Sequence, residues 1–199
     1  MIAIVDYGMG NTASVKTALQ RLGYEVAITD NPAVLEQASH IILPGVGSFQ
    51  AAVEEIEKRN LKNVLIKLAN EKPLLGICLG MQLLFTTGYE NGITPGLDLI
   101  PGIIEKIETP YLLPHIGWNA LHVHQEESAF ATFQDQHVYF VHSYAANTDD
   151  TYVVATAEYG PEVTAIVKKG KTYGIQFHPE KSGEVGQRIL QAFLKGVEQ

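Results

Sequence analysis

The chain has 199 residues, 46 % hydrophobic and 18 % charged, with a formal net charge of −8 and a pI near 5.3. That length suits one domain spanning residues 1–199 with a full core, and the acidic balance argues against nucleic acid or an anionic membrane as the main partner. A single cysteine excludes an internal disulfide, the N-terminus lacks the pattern of a signal peptide, and no apolar stretch is long enough to span a bilayer, so a soluble cytoplasmic protein is expected.

Ile2 to Asp6 is a short apolar run that reads as a buried parallel strand. Tyr7-Gly8-Met9-Gly10-Asn11 reads as a turn, and Thr12 to Leu22 as a helix with Val15, Ala18, Leu19 and Leu22 on one face, ended by Gly23. A second strand is expected over Glu25 to Ile28, and a short helix with an early proline over Pro32 to Ala38. His40 to Leu43 reads as a third strand, stopping at Pro44-Gly45-Val46-Gly47-Ser48-Phe49. Helical patterns fill Gln50 to Arg59 and Leu61 to Asn70, and Pro73 to Ile77 is a fourth strand. This β-α alternation predicts an α/β fold with a parallel sheet and helices on both faces. After about Thr87 the character changes, with glycines and prolines clustered from Gly88 to Gly102. Shorter β-rich runs follow at Ile103–Glu108, Gly117–His124, His137–Ser143, Tyr152–Ala157, Thr164–Lys168 and Thr172–Phe177. They predict antiparallel or mixed strands that extend the sheet, before a last helix from about Gly183 to Leu194.

The only cysteine sits in Gly76-Ile77-Cys78-Leu79-Gly80-Met81-Gln82, at the end of the fourth strand and before an amphipathic run. This is the strand–turn–helix pattern of a nucleophile elbow with Cys in place of Ser. The positive end of the following helix would favour a thiolate there. The competing reading is a buried cysteine acting as a small apolar residue. A catalytic thiol needs a base, and the base an orienting group. His178-Pro179-Glu180 follows another strand end, about a hundred residues on, and reactive groups in a doubly wound sheet gather at the carboxyl ends of strands. Pro179 biases His178 toward an extended backbone, so its imidazole can face the thiol on one side and Glu180 on the other. Oxyanion donors would come from the Leu79 N–H and from the Gly45-Val46-Gly47 loop, whose glycines let the backbone approach a ligand.

Other signals are weaker. Gly8-Met9-Gly10 lacks the third glycine of a dinucleotide loop, because Ala13 stands there. His115, His122, His124, His137 and His142 are scattered through β-rich segments, and with one cysteine no metal site or cofactor is expected. Trp118, Tyr139 and Tyr144 read as core aromatics, although the turn-like Gly117-Trp118-Asn119 would suit an interface anchor.

Taken together, the elbow, the Pro44–Gly47 loop and His178-Pro179-Glu180 resemble the class I, triad-type glutamine amidotransferases. Val5–Asn11, His115–Asn119, Val141–Tyr144 and Gln176–Gly183 resemble, within that family, the glutaminase subunits of imidazole glycerol phosphate synthases of the histidine pathway. The resemblance covers essentially the whole chain. It implies Cys78 as nucleophile toward glutamine, His178 as base and acid, and Glu180 as the orienting carboxylate. It also implies that Gln82, Ser143 and Tyr144 position the substrate, and that Gly45, Val46, Gly47 and Leu79 form the oxyanion hole. The implied partner is a (β/α)₈-barrel synthase that activates the glutaminase and receives its ammonia, with Asn11, Trp118, Tyr139 and Lys181 facing it and Lys181 at the ammonia entrance. Thr12-Ala13, Tyr111–Pro114 and Ala145-Ala146 depart from the usual pattern of the family, away from the triad. The competing readings are a sister amidotransferase subunit, a dead scaffold for a barrel partner, and a stand-alone thiol peptidase. Gly-Trp-Asn and Lys-Ser-Gly argue against the first, and Cys78, His178 and Glu180 together against the second.

Overall fold

The computed structural model describes residues 1–196. The first half alternates strands β1 (Ile2–Val5), β2 (Val26–Thr29), β3 (His40–Leu43) and β4 (Leu74–Ile77) with helices α1 (Thr12–Arg21), α2 (Pro32–Gln37), α3 (Phe49–Lys58) and α4 (Lys62–Glu71). Side chains set the helix starts: Asn11 accepts from Ser14 N–H, Asn31 from Ala33 N–H, and Ser48 from Ala51 N–H. The second half holds α5 (Leu79–Gln82), β5 (Phe85–Gly88), β6 (Thr94–Pro95), β7 (Ile100–Lys106), β8 (His115–Ala120), β9 (His122–Val123) and β10 (His137–His142). It ends with β11 (Tyr144–Asn147), β12 (Val153–Glu158), β13 (Glu162–Lys169), β14 (Thr172–Ile175) and α6 (Gly183–Gly196).

The main sheet has the order β2-β1-β3-β4-β14-β13-β12-β9. Pairing is parallel from β2 through β14 and antiparallel beyond it. Strands β1, β3, β4 and β14 are buried at every position, as strands covered on both faces must be. Alternation then assigns each residue a face. Ile2 and Ile4 pack into a core with Leu19 of α1, Leu190 of α6 and Phe140 of β10, while Ala3 and Val5 pack with Leu35, Phe49, Leu65 and Phe85 on the other side. The result is a three-layer α/β architecture, and no described helix is long and apolar enough to cross a membrane.

Three expectations change. First, of the second-half strands only β9, β12, β13 and β14 extend the main sheet; β11-β7-β5-β6 form a four-stranded sheet of their own, and β8 and β10 pair as a separate antiparallel ribbon. Period-2 patterning marks a strand without naming its neighbour. Second, Gly117-Trp118-Asn119 lies within β8 rather than in a turn. Third, the amphipathic run after Cys78 yields a helix of only four residues, because Phe85–Gly88 leaves to pair with β7. A single turn carries little of the macrodipole expected to act on the sulfur.

Candidate active site

Cys78 stands where β4 ends, with φ 55° and ψ −114°, a left-handed φ uncommon for a residue with a side chain. Its N–H donates to Ile175 C=O of the neighbouring strand at 2.8 Å. Gly80 makes the turn possible, since a Cβ there would run into the Leu43 carbonyl. Because β14 lies parallel to β4, with Ile175 opposite Ile77, the chain leaving β14 delivers Gln176, Phe177 and His178 beside Cys78. Sheet order thus closes the sequence gap between the two residues.

His178 has the extended backbone expected before a proline, φ −101° and ψ 98°. Pro179–Lys181 then form a 3₁₀ turn that brings Glu180 back to the ring. His178 Nδ1 donates to Glu180 Oε1 at 2.8 Å, and both side chains are almost wholly buried. This bond leaves Nε2 for the sulfur side. The turn is braced by Ser182, whose Oγ donates to His178 C=O at 2.7 Å and accepts from Tyr139 N–H at 3.0 Å. Burial by itself pushes the imidazole pKa down, but hydrogen bonding and charge from Cys78 and Glu180 outweigh it and raise it to about 9. The upward shift favours the protonated ring, held between sulfur and carboxylate.

Cys78 and His178 open onto a cleft of about 290 Å³ that Val46 and Gly47 border on one side and Val141–Tyr144 on the other. Gln82 and Leu79 line it as well, so the elbow, the loop and the proposed substrate contacts converge. Gly45 lies behind the loop, packed against the elbow turn. Leu79 is the first residue of α5, and its N–H has no partner within the helix. Gln82 Nε2 donates to Tyr144 C=O at 3.2 Å and to Gln176 Oε1 at 3.0 Å, so its amide fixes the β10–β11 wall of the cleft. A larger cleft of about 780 Å³, between β7 and β11 on one side and β12 and β13 on the other, contains neither Cys78 nor His178.

Two residues at the site were not singled out from the sequence. Gln176 is fully buried and directs Nε2 at Cys78 Sγ, 3.8 Å away. Its place before Phe177-His178 was the available signal. Glu90 lines the cleft, with Oε2 accepting from Phe49 N–H at 2.9 Å. It lies among glycines and prolines with no local pattern to mark it.

The residues expected to face a partner lie around this site. Trp118 is 53 % exposed and pairs across the ribbon with Tyr139, ring centroids 6.0 Å apart. Tyr139 C=O accepts from His178 N–H at 3.0 Å, so the ribbon is bonded to the triad backbone. Lys181 is exposed directly after Glu180, and Asn11 serves as the α1 cap. His142 Nδ1 donates to Tyr144 C=O at 2.8 Å, and burial pushes its pKa down to about 4. His115 Nδ1 lies 3.0 Å from His142 Nε2, and no three metal-ligating side chains cluster among the described residues.

A profile of the "Glutamine amidotransferase class-I" family matches residues 3–197. The chain belongs to the class-I glutamine amidotransferases. It is 48 % identical over 206 residues to "Imidazole glycerol phosphate synthase subunit HisH" of Geobacillus sp. (strain WCH70), covering all of this chain and 98 % of that one. It is 47 % identical to the HisH subunit of Carboxydothermus hydrogenoformans, covering 96 % of this chain and 97 % of the other. Among solved structures, "Crystal structure of glutamine amidotransferase" superposes with a TM-score of 0.79 over the full length of both chains at 21 % identity. "Structure of PurLQS from Thermotoga maritima" does so at 0.77 and 21 % identity, covering 98 % and 97 %. At those identities the likeness speaks to the amidotransferase fold alone.

Proposed function

We propose that this chain is the glutaminase subunit of an imidazole glycerol phosphate synthase and that Cys78, His178 and Glu180 carry its chemistry. The observation that carries this reading is the buried His178–Glu180 bond of 2.8 Å at the strand end beside the Cys78 elbow. With His178 protonated, Cys78 attacks as thiolate on the side-chain carbonyl carbon of glutamine. The oxyanion faces the Leu79 N–H and the Gly45–Gly47 loop. Collapse of the tetrahedral intermediate breaks the C–N bond, and the His178 proton goes to the leaving nitrogen, releasing ammonia and a glutamyl thioester. Neutral His178 then takes a proton from water as it attacks the thioester, glutamate leaves, and the thiolate–imidazolium pair is restored. Glu180 holds the ring and its charge throughout.

Substrate placement follows from the walls of the cleft. The carboxylate of Glu90 suits the α-ammonium of glutamine. Gln82, through Tyr144 C=O, sets the Ser143–Tyr144 backbone against the amino-acid end. Ammonia passes to a (β/α)₈-barrel partner docked over Asn11, Trp118, Tyr139 and Lys181, where it enters imidazole glycerol phosphate and AICAR synthesis. The bond from His178 N–H to Tyr139 C=O supports a partner effect on the triad through the ribbon. The family match over residues 3–197 supports a single glutaminase domain, which we place in the cytoplasm. The test is Cys78→Ala in the complex with the barrel subunit: glutamine-dependent synthesis is lost, and synthesis from ammonium salts persists. Loss of both activities would sink this division of labour.

A further inference from the structure

Tyr7 has no part in the triad or the cleft lining, yet it is among the fully buried large side chains, 1 % exposed. A buried hydroxyl needs a partner, and packing alone would be served by phenylalanine. Tyr7 Oη donates to the Pro44 carbonyl at 2.8 Å, across 37 residues of sequence and out of contact with water. Because peptide groups are planar, fixing that carbonyl also fixes the direction of the Gly45 N–H.

Gly45 is wedged at the same point. A Cβ on it would lie 2.5 Å from Tyr7 Oη, 2.8 Å from Gly80 N and 2.9 Å from Leu79 Cβ. The hydroxyl therefore meets the loop where the loop meets the turn after Cys78. The rest of the Tyr7–Gly10 segment follows the loop outward: a Cβ on Gly10 would touch Pro44 Cγ at 3.2 Å, and one on Gly47 would meet Met9 Cε at 2.8 Å. Beyond this anchor the loop opens, with Val46 44 % exposed and Gly47 at φ +108°. Burial, with a smaller contribution from Cys78 charge, raises the pKa of Tyr7 above the ordinary phenol range, so it stays a donor at working pH.

We infer that Tyr7 is a positioning residue for glutamine hydrolysis: its hydroxyl pins the first peptide of the Pro44–Gly47 loop and so sets the loop against the Cys78 turn. This rests on the reading of that loop as the oxyanion donor. The variant Tyr7→Phe keeps the ring and deletes the donor. Its expected signature, in the full-length chain with its synthase subunit present, is a kcat for glutamine about tenfold lower at little-changed KM. That is a fraction of the 10²–10³ lost when an oxyanion donor itself is removed. Release of p-nitroaniline from γ-glutamyl p-nitroanilide should slow in parallel, whereas alkylation of Cys78 by iodoacetamide, which forms no oxyanion, should keep the wild-type rate. Wild-type turnover in Tyr7→Phe would overturn the inference, as would equal slowing of alkylation. Val46→Pro, which deletes an N–H of the loop, separates the two levels. If Val46→Pro loses turnover while Tyr7→Phe does not, the loop reading stands and the role of Tyr7 falls. If Val46→Pro also turns over normally, both fall.

Discussion

Replacing Glu180 by glutamine removes a charge from the triad while keeping a carbonyl oxygen able to accept from His178 Nδ1. In the wild type, bonds and charges from Cys78 and Glu180 overcome the effect of burial and raise the His178 pKa from 6.5 to about 9. An opposite charge at this range moves a pKa by about 1–3 units, so in Glu180→Gln the His178 pKa should fall to roughly 6–8. In the proposed mechanism the imidazolium protonates the departing ammonia, so the alkaline limb of kcat/KM should move down by the same interval. The carboxamide can also turn its NH₂ toward Nδ1 and favour the wrong tautomer, and a fall of about 10²–10⁴ in kcat/KM near neutral pH is expected. Stability should follow the same titration. A folded-state pKa raised from 6.5 to about 9 corresponds to about 3 kcal/mol. It is fully present below about pH 6.5 and is lost as pH rises through about 9. Glu180→Gln should flatten that alkaline decline in denaturant titrations. Following the His178 Cε1–H resonance against pH in both proteins measures the shift directly. A His178 titration that does not move in Glu180→Gln would refute the assignment of Glu180 as the group holding its proton.

Two further outcomes are expected. Gln176→Met keeps volume but removes the donor to Cys78 Sγ and the acceptor for Gln82 Nε2. It should cost about 1–3 kcal/mol, visible as a Tm several degrees lower, and raise the KM for glutamine; unaltered Tm and KM would dismiss the network. Lys181→Ala should lower the synthase product formed per glutamine consumed in the complex, and unchanged stoichiometry would remove Lys181 from the ammonia entrance.

Much of the site could be read from local pattern. Cys78 between Gly76 and Gly80 at the end of an apolar run marks an elbow, because a Cβ at Gly80 would strike the Leu43 carbonyl of β3 and one at Gly76 the backbone of Gly80 and Met81. His178 and Glu180 were legible as a pair because Pro179 restricts the backbone between them. The length of the helix after Cys78 was not legible. Leu83-Leu84-Phe85 continues an amphipathic pattern, and the helix stops at Gln82 because β7 takes Phe85–Gly88 as a strand partner. The exposure of Trp118 was not legible for a similar reason: Gly117 suggests a turn inside a β-rich run, and the pairing of β8 with β10 is what places Trp118 on the open face of a strand beside Tyr139.

The sequence by itself determined the β-α frame of the first half and the elbow, and it pointed to Cys78, His178 and Glu180 as the candidate nucleophile, base and carboxylate. These depend on neighbours a few positions away: side-chain period, glycine spacing and the restriction before proline. Tertiary structure alone decided which strand ends meet. The parallel pairing of β4 with β14 brings His178 to Cys78, and pairing in the second half divides its strands among three sheets. It also decided the roles of residues whose partners are remote in sequence: Glu90 at Phe49, Gln176 at Gln82 and Cys78, and Tyr7 at Pro44. A hydrogen bond across 37 to 98 residues leaves no periodicity in the chain, because its two ends are brought together by the packing of sheets and helices between them.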